Sequence, residues 1–214
     1  ATNSRQWTGV TIAADGRRFV NFPRWSDTVP VSVARLRTDG SATPYPDHRW
    51  NDWRPGRNPR NHFVCVQSVV ADGQNSLWVL DPANPRFEGV IPGGPKLVRI
   101  DLTRNTVERV YAFTPDIAPA DSYLNDVRID PQHRAAYITD SGNGALVVVN
   151  LDTGTARRLL DEHPSTHSEG IVIVIDGSPW LRPDGSRPDV HADGIALDSE
   201  GRYLYYHALT GSSL

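Results

Sequence analysis

Ser68-Val69-Val70-Ala71-Asp72-Gly73 reads as a short strand closing in an Asp-centred turn, and Leu77-Trp78-Val79-Leu80 follows as its return strand. The β-branched and aromatic residues favour extended backbone, and Asp-Gly supplies the reversal. Three further pairs repeat the pattern. Gly9-Val10-Thr11-Ile12-Ala13-Ala14-Asp15-Gly16 leads into Arg18-Phe19-Val20-Asn21-Phe22, and Asp126-Val127-Arg128-Ile129-Asp130-Pro131 into Ala136-Tyr137-Ile138-Thr139. Gly194-Ile195-Ala196-Leu197-Asp198-Ser199 leads into Tyr203-Leu204-Tyr205-Tyr206. Two more strands complete the unit. Leu97 to Asp101 turns through Thr103-Arg104-Asn105 into Val107 to Tyr111, and Leu146 to Val149 turns through Asp152-Thr153-Gly154 into Ala156 to Leu160. Val10, Val69, Val127 and Ile195 then stand 59, 58 and 68 residues apart.

A recurring four-stranded antiparallel meander is the signature of a β-propeller, whose blades pack face to face around a channel. The chain is therefore expected to be all-β, with blades starting near residues 8, 67, 125 and 193. Three blades and two further strands use all 214 residues, whereas closure takes about four to eight blades. Residues 1–214 are thus expected to form the N-terminal part of a single propeller domain, about three and a half blades. The remaining blades are expected on another chain or a missing segment, since an open stack leaves apolar blade faces and strand edges bare. The long repeat period puts extra length into three loops, Tyr45 to Asn61, Asp81 to Pro95 and Pro164 to His191. Rim loops of this kind either carry binding residues or cover the channel mouth.

Composition narrows the partners. The net charge of −3 is spread without basic blocks, so no nucleic-acid partner is expected. The longest apolar run, Ile171 to Ile175, is far below the ~18 residues of a membrane span. Lys96 is the only lysine among 22 basic residues. Cys65 is the only cysteine, lies in Phe63-Val64-Cys65-Val66, and is expected to be a buried structural thiol. The chain starts at Ala1 and contains no methionine, which suggests a removed leader and a secreted or periplasmic protein.

The repeat also predicts a site. Two residues before each anchor stand Thr8, Gln67, Asn125 and Asp193. Each begins the innermost strand of its blade, so the four should ring one channel mouth. A small organic ligand could be held there. The oxygens of Asn125 and Asp193 also suit Ca²⁺, and polar residues at strand starts equally serve as backbone caps. His191 and His62 stand near the same mouth and are candidates for acid–base work, with His191 the better placed. Trp25, Trp50 and Trp53 could stack on a flat ligand or pack the loops. Asp81 and Asp140 end equivalent second strands, where turn capping and catalysis are both open.

Several segments together resemble the major royal jelly and yellow protein family, most closely its bacterial branch labelled L-dopachrome tautomerase-related. They include Phe19 to Trp25, Pro44-Tyr45-Pro46-Asp47, Val66 to Val70, Leu77 to Asp81, Gly94 to Val98, Ser122 to Val127, Ala136 to Ser141 and Asp193 to Leu197. The resemblance implies a six-bladed propeller and a candidate dopachrome tautomerase-like activity. Asn125-Asp126 and Asp193-Gly194 are also similar to metal-binding positions of gluconolactonase and regucalcin-like propellers. That likeness implies Ca²⁺ on Asn125 and Asp193, a ligand-binding place for Asp126, and substrate contact by Gln67. In those lactonases a first-blade Glu completes the metal site, and here that position is Thr8. Three functions follow: a small-molecule-binding propeller with or without tautomerase activity, a metal-dependent lactonase, or a non-catalytic interaction scaffold.

Overall fold

A computed structural model of the chain describes residues 6–26 and 28–214. Its strands form three complete meanders and the start of a fourth. The first blade holds β1 (Gly9–Ile12), β2 (Arg18–Asn21), β3 (Val33–Leu36) and β4 (Ala42–Pro44) in that order. The second holds β5 (Ser68–Ala71), β6 (Ser76–Asp81), β7 (Lys96–Asp101) and β8 (Thr106–Ala112). The third holds β9 (Leu124–Asp130), β10 (Ala135–Asp140), β11 (Ala145–Asn150) and β12 (Ala156–Leu159). A small hairpin, β13 (Val174–Ile175) with β14 (Ser178–Pro179), precedes the paired strands β15 (Ala192–Leu197) and β16 (Leu204–Ala208). Strand ends differ from the sequence reading by a residue or so. β12 stops before Leu160, for example, where φ turns to +60°.

The turn carboxylates make the meanders. Asp15 accepts the Arg17 N–H at 3.0 Å, and Asp72 accepts those of Gln74 and Ser76 at 2.7 and 3.0 Å. Asp130 accepts the His133 N–H at 2.9 Å, and Asp198 those of Arg202 and Tyr203 at 2.6 and 2.8 Å. A short side chain satisfies the amides that a tight reversal leaves open, which is why Asp recurs at this place in every blade.

Blade stacking follows from side-chain alternation. Every residue of β6 is buried, because both of its faces are covered. Leu77 and Val79 pack with Phe19, Val33 and Tyr45 of the first blade. Trp78 and Leu80 point the other way, against Leu124, Val127 and Ile138 of the third. The inner strands β1, β5, β9 and β15 neighbour one another in turn. They fan around a shared channel. Val10 and Ile12 lie on the side of β1 turned from the second blade and are 68% and 65% exposed. At the far side of the fan Tyr203 and Tyr205 are likewise exposed.

All four inner strands begin at one end of the channel. The connections from outer to inner strands, and from second to third strands, return to that end. The three long loops therefore share the rim. The first contains the short helix α1 (His48–Asn51), capped by Asp47. Asn51 ties this loop to the first blade by accepting from Ser32 and Val33 N–H and donating to the Tyr45 and Asp47 carbonyls. Among the described residues no helix is long and apolar enough to cross a membrane.

Candidate functional site

The four equivalent positions meet at the channel mouth. Thr8 Oγ1 donates to the Gln67 carbonyl at 2.8 Å, and Gln67 Nε2 donates to Asn125 Oδ1 at 3.0 Å. Asn125 Nδ2 in turn donates to the Asp193 carbonyl at 3.3 Å. Each bond links one blade to the next. The ring is thus both a structural seam and a polar band.

Beside it lies a cavity of about 920 Å³ that runs past the ring along the inner strands to Val10, Val70 and Arg128. Gln67, Asn125, Asp126 and Asp193 line one part of it, and Trp25, Phe87, Tyr123 and Trp180 another. The aromatic side is a packed set: Trp25 and Phe87 centroids lie 5.6 Å apart, and Phe87 and Tyr123 centroids 4.7 Å. Volume and lining match an organic-ligand pocket, largely apolar with a few convergent polar groups.

Asp193 has the telling electrostatics. Burial, with the nearby Asp126 carboxylate, pushes its pKa up to about 6, against smaller opposing effects of His207 and an Asn125 hydrogen bond. Asp126 itself is committed. It accepts from Ser68 Oγ at 2.7 Å and pairs with Arg128 at 2.8 Å.

These commitments bear on Ca²⁺. The Asn125 side-chain oxygen already receives the Gln67 amide, Asp126 is spent on Ser68 and Arg128, and the first-blade position offers only Thr8. Within the ring Asp193 is the one carboxylate left over. Among the described residues no three His, Cys, Asp or Glu side chains cluster as candidate metal ligands. By themselves Asn125 and Asp193, one amide oxygen already engaged and one carboxylate, supply fewer oxygens than the six to eight that calcium takes.

The His191 ring is set into its own loop. It does not line the cavity, although Val190 and Asp193 do. Its Nδ1 accepts the Ser168 N–H at 3.1 Å, and its ring packs edge-on against His167 at 4.8 Å. Burial first, and His167 next, lower its pKa. The ring anchors the 164–191 loop. His62 likewise serves its own loop through the Asn58 carbonyl and Asp52.

Of the three tryptophans in the first rim loops, only Trp25 lines the cavity. Trp50 packs on Phe63, and Trp53 lies under Arg24. Sequence reasoning misses Phe87, Tyr123 and Trp180. Tyr123 stands two residues before Asn125, a signal available only once that position is tied to the mouth. Phe87 and Trp180 sit on long rim loops whose paths no local pattern fixes. Gly142 helps seat Tyr123, since a Cβ there would meet Asp121 O at 2.4 Å and Tyr123 N at 2.5 Å. Gly142→Ala should displace this segment, with a loss of about 1–3 kcal/mol on chemical denaturation. An unchanged midpoint would show that the close approach relaxes freely.

Asp81 and Asp140 are structural. Asp81 accepts the Val64, Cys65 and Ala83 N–H groups and pairs with Lys96 at 2.8 Å. Asp140 accepts from Tyr123 and Gly142 N–H and from Ser122 Oγ, and pairs with Arg158 at 2.7 Å. Cys65 is fully buried, and desolvation pushes its thiol up to about 12.

The family profile described as major royal jelly protein matches residues 64–214. The chain is 28% identical over 191 residues to Protein yellow of Drosophila pseudoobscura pseudoobscura, covering 84% of this chain and 31% of that one. Identity to Protein yellow of Drosophila melanogaster is 25%, with 84% and 32% covered. The chain therefore spans about a third of the length of these curated relatives. Among solved structures, an auxiliary nutrient binding protein from Bacteroides ovatus superposes with a TM-score of 0.54 at 12% identity, covering 96% of this chain and 43% of that one. A gluconolactonase from Xanthomonas campestris gives 0.50 at 15% identity, covering 94% and 69%. These two likenesses bear on the fold alone.

Proposed function

Because the chain belongs to the major royal jelly protein family, we propose that it binds a small, flat organic ligand at the mouth of its propeller channel. One observation carries this: a cavity of about 920 Å³ is lined both by rim aromatics and by the polar Gln67, Asn125 and Asp193. Trp25, Phe87 and Trp180 would stack on the ligand and exclude water, while Gln67 and Asn125 would fix its orientation. The faces bearing Val10 and Ile12, and Tyr203 and Tyr205, are proposed to be covered by further blades. The proposed setting is secreted or periplasmic, where the buried Cys65 offers no exposed thiol to oxidation.

Calorimetric titration of the full-length protein with chromone, a flat unreactive bicycle, tests the proposal. Saturable one-to-one binding is expected, weakened about tenfold in Asn125→Ala. Equal affinity in protein and variant would place the ligand elsewhere.

A second activity is favoured by Asp193. A carboxyl that titrates at about 6 beside the cavity can both take and return a proton near neutral pH. A dopachrome tautomerase-like reaction asks for that. A proton leaves a ligand carbon and another is returned to a ligand oxygen, with no change in oxidation state and no second reactant. Asp193 would be the proton carrier, with the amides of Gln67 and Asn125 orienting the ligand.

A further inference from the structure

A single directional run of hydrogen bonds crosses the cavity wall. Trp25 Nε1 donates to the Tyr123 hydroxyl at 2.6 Å, and that hydroxyl donates to Gln67 Oε1 at 3.0 Å. Gln67 Nε2 then donates to Asn125 Oδ1, and Asn125 Nδ2 to the Asp193 carbonyl. The two ends decide the direction. An indole N–H can only donate and a backbone carbonyl can only accept. With the indole proton on its oxygen, the Tyr123 proton goes to Gln67. Turning either amide over would set oxygen against oxygen or leave a donor facing a donor. Gln67 is further fixed through its main chain, whose N–H bonds the Leu80 carbonyl and whose carbonyl accepts from Thr8.

The consequence concerns what the cavity offers. Gln67 lines it, and one hydrogen of its amide nitrogen goes to Asn125. The second has no partner among the described residues. We propose that Tyr123, oriented by Trp25, is a positioning residue that holds the Gln67 amide so that its free N–H serves the ligand. The site thereby selects flat ligands bearing an acceptor oxygen, such as a carbonyl, over isosteres bearing a donor. This rests on the ligand-binding proposal above and names its ligand class. Tyr123 is 4% exposed and its ring packs on Phe87, so its hydroxyl can be removed without opening a large gap.

The test compares two flat bicycles by calorimetry on the full-length protein: chromone, with an acceptor carbonyl, and 1-aminonaphthalene, with a donor amine. The protein is expected to favour chromone about tenfold, the worth of one hydrogen bond. Tyr123→Phe should cut that preference severalfold, by weakening chromone severalfold more than 1-aminonaphthalene. Gln67→Glu, which still accepts from Tyr123 but cannot donate, should reverse the preference. Equal affinity of the protein for both probes would overturn the inference and leave the pocket intact. Proportionate weakening of both probes in Tyr123→Phe would overturn it too, by reducing Tyr123 to packing. Failure to bind either probe would instead remove the ligand-binding proposal beneath it.

Discussion

Asp81→Ala is expected to lower the unfolding free energy by about 3–5 kcal/mol, enough to unfold much of a marginally stable domain. Lys96 and Asp81 are 1% and 0% exposed, and the pair sits where the second blade meets the rim loops. The Lys96 ammonium gives its three protons to Asp81, the Pro59 carbonyl and the Gly94 carbonyl. The carboxylate in turn holds the Val64, Cys65 and Ala83 amides. Alanine strands one buried ammonium and three backbone donors at once. Burial already lowers the Lys96 pKa while Asp81 raises it, so removing the carboxylate favours the neutral amine in the fold. The unfolded chain then binds more protons than the folded one, and the variant should gain stability as pH rises from about 7 to 10. Urea midpoints across that range measure both effects. A loss under about 1 kcal/mol would show that water reaches the pair, and Asp81→Leu with Lys96→Met should recover only the part due to the stranded ammonium, because the three backbone donors stay unpaired.

Asp193→Asn should remove the pH dependence of the site and, for a proton-shifting reaction, reduce turnover by about 10²–10⁴. The stability effect has a definite sign. A carboxyl raised from 3.8 to about 6 in the fold contributes stability that is fully present below 3.8 and lost as pH rises through about 6. The charged group is therefore a burden above pH 6. A neutral amide in its place carries no such burden, so the variant should be more stable at pH 8 by on the order of 2 kcal/mol and no different at pH 4. Denaturation midpoints at the two pH values check this. Dopachrome consumption followed by absorbance, from pH 5 to 8, checks the chemistry. Turnover that persists with an unchanged pH profile in the variant would exclude Asp193 as the proton carrier. A stability difference that is the same at both pH values would mean that Asp193 titrates normally.

The two predictions draw on different kinds of legibility. Asp81 and Asp140 are recognisable in the sequence as equivalent residues, but their position along a strand does not choose between capping and catalysis. Their partners choose. Lys96 and Arg158 are fifteen and eighteen positions away along the chain and converge on the carboxylates only once the second, third and fourth strands lie side by side. Asp193 is recognisable as one of four ring residues, yet its raised pKa depends on burial and on Asp126 in the neighbouring blade. His191 shows how little chain order says about where a ring is placed. Proximity along the chain to Asp193 suggests a shared cavity, and strand alternation alone would set positions 191 and 193 on one face, but His191 precedes β15, a register shift falls between Ala192 and Gly194, and the loop captures the ring through Ser168.

The meanders, their Asp-closed turns, the repetition that makes a propeller, and the equivalence of Thr8, Gln67, Asn125 and Asp193 are all written in the order of the residues. Each is local or periodic. A turn carboxylate reaches amides within a few residues, and a repeated unit carries each position to the corresponding place by rotation. Folding in three dimensions settles the rest: which side chains wall the cavity, that the one lysine is buried, and that Tyr123 lies between Trp25 and Gln67. Those contacts join residues as much as 98 positions apart. They depend on how loops cross the rim and how one blade leans on the next, and no repeat within a single blade records either.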